Sequence, residues 1–484
     1  MSNGIQRNGS SSPNKADESL LSPKVTSNHS YIGQSETRVY KRRWYILIMY
    51  CIIGVLQNAM WNTFGPIETT ARAVYKWDGW VIDLIAAWGS VTFCITMLPF
   101  AWVVDVKGLR VGLLLSAGFT LVGSVLRFIP TGSTTSSTAL IHCGQIIIGL
   151  AGGIAAAPLL SSTWFPPSQR TTATAISSAA AFIGFSMSFL IGPAFVDDVK
   201  DSNALKVGDN YRLNETEEAK YQKQINSLLY TQSGLQAVFF FFVFVYYPSK
   251  PPSPPSQSAA TVRVDFKDGA RSLITNFNFL LLATIYGATT GVYGGWCAVL
   301  YQNLSGYGID VNEHFAEWLG FVAVMSGAVS GVSFSAFADR FTGHLKLLLI
   351  VFMASSLFAI LLIYYVFTRV IGFNKGLVYV LFSLSGFFLN GTIPLFYELG
   401  VELTYPVAEG ITSGSVMFFN NFLQSIFLVV PLGHLGTKWM LWATIGTCAA
   451  STLLLVFVKE TYNRSSVDKR AKVENDFSSS SLNM

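Results

Sequence analysis

Amides, indoles and an imidazole recur inside stretches of this chain that are otherwise apolar. Gln57, Asn58, Trp61 and Asn62 fall in one such stretch just before Gly65-Pro66, a pair that should break a helix. Asn58 and Asn62 are one helical turn apart and share a face with Trp61. His142 and Gln145 lie in a second stretch, Tyr286, Tyr293 and Trp296 in a third, and Asn420, Asn421 and Gln424 in a fourth. Amide donors and an indole on one helix face could line a cavity together. Taken singly, each group reads as helix-to-helix glue or as part of an aromatic interface belt. Taken together they favour a substrate pocket built from Trp61, Asn62, Gln145, Tyr293, Trp296 and Asn420.

Carboxylates raise a separate question. Glu398 and Glu402 are one turn apart near the end of an apolar stretch, and Glu409 follows in the next connection. An ionised carboxylate in hydrocarbon is costly by several kcal/mol unless it is paired, hydrated or protonated. Two roles stay open for Glu398 and Glu402: proton carriers, or gate residues paired, for instance, with Arg340 or Arg170. Asp83 and Glu68 fall nearer the ends of their stretches, where solvation is easier. No His/Cys cluster has metal spacing, and no phosphate loop, nucleophile elbow or Gly-x-Gly-x-x-Gly follows a strand. Cys51, Cys94, Cys143, Cys297 and Cys448 lie within or beside apolar runs and read as packing residues. The expectation is a non-enzyme with no metal and no cofactor.

The elements that must position these groups follow from composition. Apolar residues make up 51% of the chain and charged residues 12%, too little polar surface for a soluble protein of 484 residues. About twelve apolar stretches of roughly 18 to 25 residues are each long enough to cross a ~30 Å hydrocarbon core as a helix. They begin near Trp44, Trp80, Val111, Ala139, Thr172, Leu228, Phe277, Trp318, Leu345, Gly376, Ile411 and Lys438. One short pattern occurs twice between such stretches, as Asp105-Val-Lys-Gly108-Leu-Arg110 and as Asp339-Arg340-Phe-Thr-Gly343-His-Leu-Lys346. The duplication predicts an all-α membrane protein whose twelve transmembrane helices form two pseudo-symmetric six-helix bundles. The repeated acidic, glycine and basic residues (Asp105, Gly108, Arg110; Asp339, Arg340, Gly343) are the expected gating loops.

The chain divides accordingly into a polar tail (1–43), a first bundle (44–247), a Pro-rich linker (248–276), a second bundle (277–458) and a second tail (459–484). Lys and Arg number eighteen in the flanks on the side of both tails and eleven on the opposite side, so both ends are expected in the cytosol. These basic residues are dispersed beside helices, which excludes a nucleic-acid patch. Residues 1–37 lack the apolar core of a removable signal peptide. Asp197 to Ser227 reads as a long charged loop on the non-cytosolic side, and its Asn214-Glu-Thr216 is a glycan acceptor sequence. Asp17-Glu-Ser-Leu20-Leu21 is an acidic dileucine that sorting adaptors can read.

Asp105-x-x-Gly108-x-Arg110 and its echo resemble the loop signature of the major facilitator superfamily, with Ala101 and Ser335 in place of its leading glycine. Five segments are similar to solute carrier family 49, on the branch named after disruption in renal carcinoma: RVYKRRW (38–44), WNTFGPI (61–67), IHCGQ (141–145), STWFPPSQRTTATAIS (162–177) and YELGVELTYPVAEGITSG (397–414). The resemblance covers about Arg38 to Tyr462. It implies the major facilitator fold and a proton-coupled, electrogenic carrier of pyridoxine in the lysosomal membrane, with a small solute, protons and the bilayer as partners. Sister branches imply choline, ethanolamine or haem-linked carriers, and a non-transporting scaffold or receptor is the alternative of a different class. The family's aromatic pocket maps onto Trp61 and onto Tyr293 or Trp296, while His142, Glu398 and Glu402 occupy matching motif positions.

Overall fold

A segment crossing hydrocarbon must satisfy its own backbone polar groups, and a helix is the structure that does so within one segment. The computed structural model describes residues 37–470 and 473, apart from 132, 152–155, 200–204, 208–209, 261–263, 299, 310–312, 341–342 and 430–437. Helices fall where the sequence places the spans. In the first half they are α1 (Arg43–Trp61), α2 (Gly79–Trp102), α3 (Leu109–Leu126), α4 (Thr134–Leu150), α5 (Arg170–Phe195) and α6 (Glu215–Val245). In the second they are α7 (Phe277–Tyr286), α8 (Glu313–Arg340), α9 (Leu345–Phe367), α10 (Lys375–Asn390), α11 (Glu409–Val429) and α12 (Lys438–Leu454).

Among the described residues nine helical stretches are long and apolar enough to cross a membrane, and a pair bent by 79°, Phe266–Thr275 with Phe277–Ala298, brings the number to ten. The remaining two are α4 and α11. The first runs 17 residues and resumes as Ala157–Trp164, and the 21 residues of α11 include Asn420, Asn421 and Gln424. Both carry pocket candidates, and polar content that serves a site lowers the apolarity of the helix bearing it.

Local chemistry explains the breaks. Asn62 leaves the helical region after α1, Gly65–Ile67 forms a tight turn with Pro66 inside it, and a short helix, Glu68–Tyr75, follows. At the first repeated loop, Gly108 has φ +92°, and at the second Gly343 has φ +116°, backbone that glycine adopts without strain. The segment read as a charged loop differs from expectation. Its second part is the start of α6, because Asn214 and Glu217 form a reciprocal capping box ahead of a run of good helix formers. Its first part holds a small antiparallel ribbon, Leu205–Val207 with Asn210–Arg212.

α2 packs on α11 and α5 on α8, so these pairs join the two halves of the chain. Phe93 and Met97 of α2 share a core with Tyr286, Phe396 and Ile411 from the second half. The helical turn that continues α7, Gly287–Gly291, approaches α11 backbone to backbone; a Cβ at Gly287 or Gly291 would overlap the main chain at Phe419 and Asn420. Ile95, Phe241 and Phe358 are each more than 60% exposed, as expected of side chains facing lipid tails. The chain enters α1 and leaves α12 on one face, called the terminal face below; the other is the far face.

Candidate functional site

Where α1 stops, its last carbonyls lose their helical partners. Gln145 Nε2 of α4 fills one such position by donating to the Trp61 carbonyl at 2.8 Å. Asn62 Nδ2 donates to Ser188 Oγ of α5 at 2.8 Å, whereas the Asn58 amide bonds back to Gly54 of its own helix. The Trp61 ring lies over Gly89 of α2, close enough that a Cβ there would sit 3.0 Å from Cε2. Trp61 is partly exposed, and its indole Nε1 is buried with no hydrogen-bond partner among the described residues. Three pocket candidates, Trp61, Asn62 and Gln145, are thereby brought together at the broken end of α1.

Arg127, which the sequence did not single out, joins the same cluster. It follows α3, is 3% exposed, and donates to the Met60 carbonyl, Thr63 Oγ1, Gln145 Oε1 and Gln232 Oε1. A lone arginine at the end of an apolar run was the available signal. His142 lies one turn before Gln145 and accepts at Nδ1 from Trp88 Nε1 at 3.0 Å, an arrangement that puts the proton of the neutral imidazole on Nε2.

On the second half, Asn420 Nδ2 donates to Thr290 Oγ1 at 2.7 Å across the tight α7–α11 contact. Tyr293 and Trp296 take up core positions. Tyr293 is 1% exposed with its hydroxyl 2.9 Å from Ser385 Oγ, and Trp296 is fully buried, stacked on Phe382 at 5.3 Å between centroids.

The terminal face carries a clasp of ionic and polar groups. The Asp105 carboxylate accepts from the backbone N–H of Gly410 at 3.0 Å and of Ile411 at 2.8 Å, capping the start of α11 from the end of α2. An anion there also meets the positive end of the helix dipole. Arg170, at the start of α5, bonds Ser256 and Ser258 of the linker and pairs with Asp468 of the second tail at 3.2 Å. Glu398 and Glu402 lie on the helix Ile393–Thr404 and both pair with Arg464; Arg170, one of the partners the sequence suggested, also interacts electrostatically with Glu398. Glu402 also accepts from the backbone N–H groups of Arg464 and Ser465, at 3.0 and 3.1 Å. Burial by itself would lower the Arg464 pKa, but Glu398 and Glu402, supported by Glu409 and Asp468, raise it.

The repeated loops make equivalent bonds. Arg110 donates to the Phe244 carbonyl at 3.0 Å near the end of α6, and Lys346 to the Val456 and Val458 carbonyls at 2.6 and 2.8 Å beyond α12. Basic side chains suit such exposed carbonyls. The backbone N–H of Arg110, next to Gly108, also donates to Ser249 of the linker at 3.1 Å. Asp339 and Arg340 end α8, and their side chains lie outside the described residues, as do Asp17, Leu20 and Leu21.

On the far face Asn214 is exposed and caps α6 through Oδ1, which accepts from the Glu217 N–H at 2.8 Å and leaves Nδ2 outside that bond.

Several known proteins are similar to this chain. A family model described as Major Facilitator Superfamily matches residues 46–428. The solute carrier family 49 member 4 homolog of Xenopus laevis is 35% identical over 442 residues, covering 90% of this chain and 95% of that one. The choline/ethanolamine transporter FLVCR1 of Mus musculus is 26% identical over 423 residues, covering 83% and 71%. Among solved structures, the E. coli fucose:proton symporter FucP has a TM-score of 0.63 at 12% identity, covering 87% of this chain and 100% of that one. The proton:xylose symporter XylE has a TM-score of 0.65 at 12% identity, covering 88% and 99%. At such identity the two structures bear on fold alone.

Proposed function

The chain belongs to the major facilitator superfamily and within it to solute carrier family 49, a family of transporters rather than enzymes, and from that premise we propose that it carries pyridoxine with protons across the lysosomal membrane by alternating access. The observation that carries the proposal is the partly exposed indole of Trp61, flanked by Asn62 and Gln145 where α1 breaks. A pyridine ring stacks on such a face, and amides complement its hydroxyl groups. Asn420 would complete the pocket from α11, with Tyr293 and Trp296 supporting the α7 wall from behind.

In this proposal the terminal face is cytosolic and fastened, so solute enters from the acidic lumen. The two bundles, 44–247 and 277–458, then rock about the pocket while the linker 248–276 and the repeated loops hold their ends. Protonation at His142, or at Glu398 and Glu402 once the clasp loosens, removes charge and permits the change of access. One proton is enough for useful accumulation, since each pH unit contributes ~1.4 kcal/mol and 100 mV about 2.3 kcal/mol per charge. The dileucine at Asp17, Leu20 and Leu21 is the proposed lysosomal address, read by sorting adaptors.

Choline or ethanolamine transport is the second possibility, favoured by the named activity of the 26%-identical relative. Electrical recording separates the two. With Leu20 and Leu21 changed to Ala so that the chain reaches the cell surface, pyridoxine at acid pH is expected to evoke an inward current and choline none. Glu398→Gln should flatten the pH dependence of that current. A choline current without a pyridoxine current would transfer the assignment, and an unchanged pH profile would remove Glu398 from the proton path.

Asn214 is the proposed glycan site. Endoglycosidase is expected to shift the wild-type chain on a gel by a few kilodaltons and to leave Asn214→Gln in place; equal mobility of the two untreated chains would refute the site.

A further inference from the structure

Three arginines of this protein are buried to a similar degree, with exposures of 3% for Arg127 and 2% for both Arg170 and Arg464. Arg170 and Arg464 meet carboxylates. Among the described residues Arg127 does not: its acceptors are the Met60 carbonyl at 3.1 Å, Thr63 Oγ1 at 3.2 Å, Gln145 Oε1 at 3.4 Å and Gln232 Oε1 at 3.0 Å, all neutral. Its Nε is buried with no partner among the described residues. Hydrogen bonds to neutral oxygens position a guanidinium but leave its charge uncompensated, and a buried charge without a counter-ion is destabilising in itself. A buried ionisable group kept under those terms, at the end of α3 and beside a candidate pocket, calls for a functional explanation.

The surroundings indicate the role. Gln145 bonds Arg127 through Oε1 and the Trp61 carbonyl through Nε2, so the charge stands one side chain behind the proposed pocket. Arg127 also lines a polar far-face cleft of about 280 Å³ with Tyr75, Gln222, Asn226 and Glu218, the last of which pairs with Lys76 at 3.7 Å, and this places it beside the proposed entry route as well. An indole face alone attracts ammonium ions through the ring quadrupole. A fixed positive charge nearby opposes that attraction and favours neutral solutes or those with a negative group.

We infer that Arg127 is a specificity-determining residue whose charge, met by neutral acceptors among the described residues, turns the transporter away from ammonium cations and toward neutral or anion-bearing solutes. This rests on the proposal that Trp61 and Gln145 hold the solute. A unit charge roughly 8 Å from a bound cation, at an effective dielectric near 20, shifts relative affinity by about tenfold or more.

The test uses the purified full-length chain with pyridoxine, choline and ethanolamine as probes, reading binding by thermal shift and uptake in liposomes. Arg127→Gln removes the charge but also breaks a buried network, so Gln232→Glu is the decisive variant. It is nearly isosteric and places a carboxylate where Arg127 already bonds. Both variants are expected to raise the ratio of choline to pyridoxine affinity at least tenfold, and Arg127→Lys to leave it near wild type. A folded Gln232→Glu chain with an unchanged ratio, or equal loss of all three probes, would show a strut and overturn the inference. Should Trp61→Ala transport normally, the pocket assignment fails, while the ratio in Gln232→Glu still decides the role of the charge. Absence of binding by all three probes in the wild type would overturn both.

Discussion

Arg464→Ala is expected to unfasten the terminal face. The substitution removes the Arg464 charge from Glu398 and Glu402, 7% and 1% exposed, and truncating one partner of a buried ion pair costs about 3–5 kcal/mol. Part of that cost is relieved if a carboxylate takes up a proton, and part if the helices separate and admit water. The expected result is a lower thermal midpoint in detergent together with faster labelling of a gate reporter. Thr412→Cys serves as the reporter, because Thr412 is 1% exposed, near the start of α11 and close to the backbone that Asp105 caps. In a background without the native cysteines, a maleimide applied from the terminal face should label it at least tenfold faster when Arg464 is Ala. Removing both carboxylates as well, with Glu398→Gln and Glu402→Gln, should recover much of the stability, since neutralising a whole buried ionic group is far less damaging than orphaning part of it. Labelling as slow as in the parent chain would mean that Arg464 is no latch.

Trp61→Ala is expected to abolish uptake with the protein still in its membrane. The ring closes over Gly89 but belongs to none of the large buried cores, so its loss opens space at the end of α1 without removing a keystone of the fold. Burying a solute ring against an indole contributes roughly 3 kcal/mol from apolar area and stacking together, more than a hundredfold in affinity. Trp61→Phe should retain a measurable part of the rate, which Ala should not. The measurement is labelled-solute uptake normalised to the amount of transporter present, and wild-type rates in Trp61→Ala would end the pocket assignment.

Much of the architecture was legible because it follows from local rules. Apolar length marked where most spans begin, Gly65-Pro66 marked the break after α1, and the repeated loop pattern contains Arg110 and Lys346, which tie α6 and α12 at their ends. The capping box at Asn214 was legible in principle from Asn214-x-x-Glu217, but the charge of that segment suggested a loop. What sequence could not supply was which distant segment meets which. Arg464 lies 66 residues from Glu398, beyond the last span, and no periodicity connects them. Tyr293 and Trp296 have the chemistry of a pocket wall, yet helical spacing does not say whether a ring turns toward a chamber or toward the neighbouring helix. Here Ser385 and Phe382 receive them. Arg127 was missed for a related reason: the neutral oxygens that receive it, from Met60, Thr63, Gln145 and Gln232, come together only in the assembled bundle and not in any stretch of chain.

Order along the chain has a consequence for biogenesis. Arg464 and Asp468 follow α12, so Glu398, Glu402 and Arg170 are synthesised before these partners exist. The ionic contacts on that face therefore form only after the segment beyond α12 has been made. A stop codon placed between α12 and Arg464 would keep the helices described above and delete both partners at once.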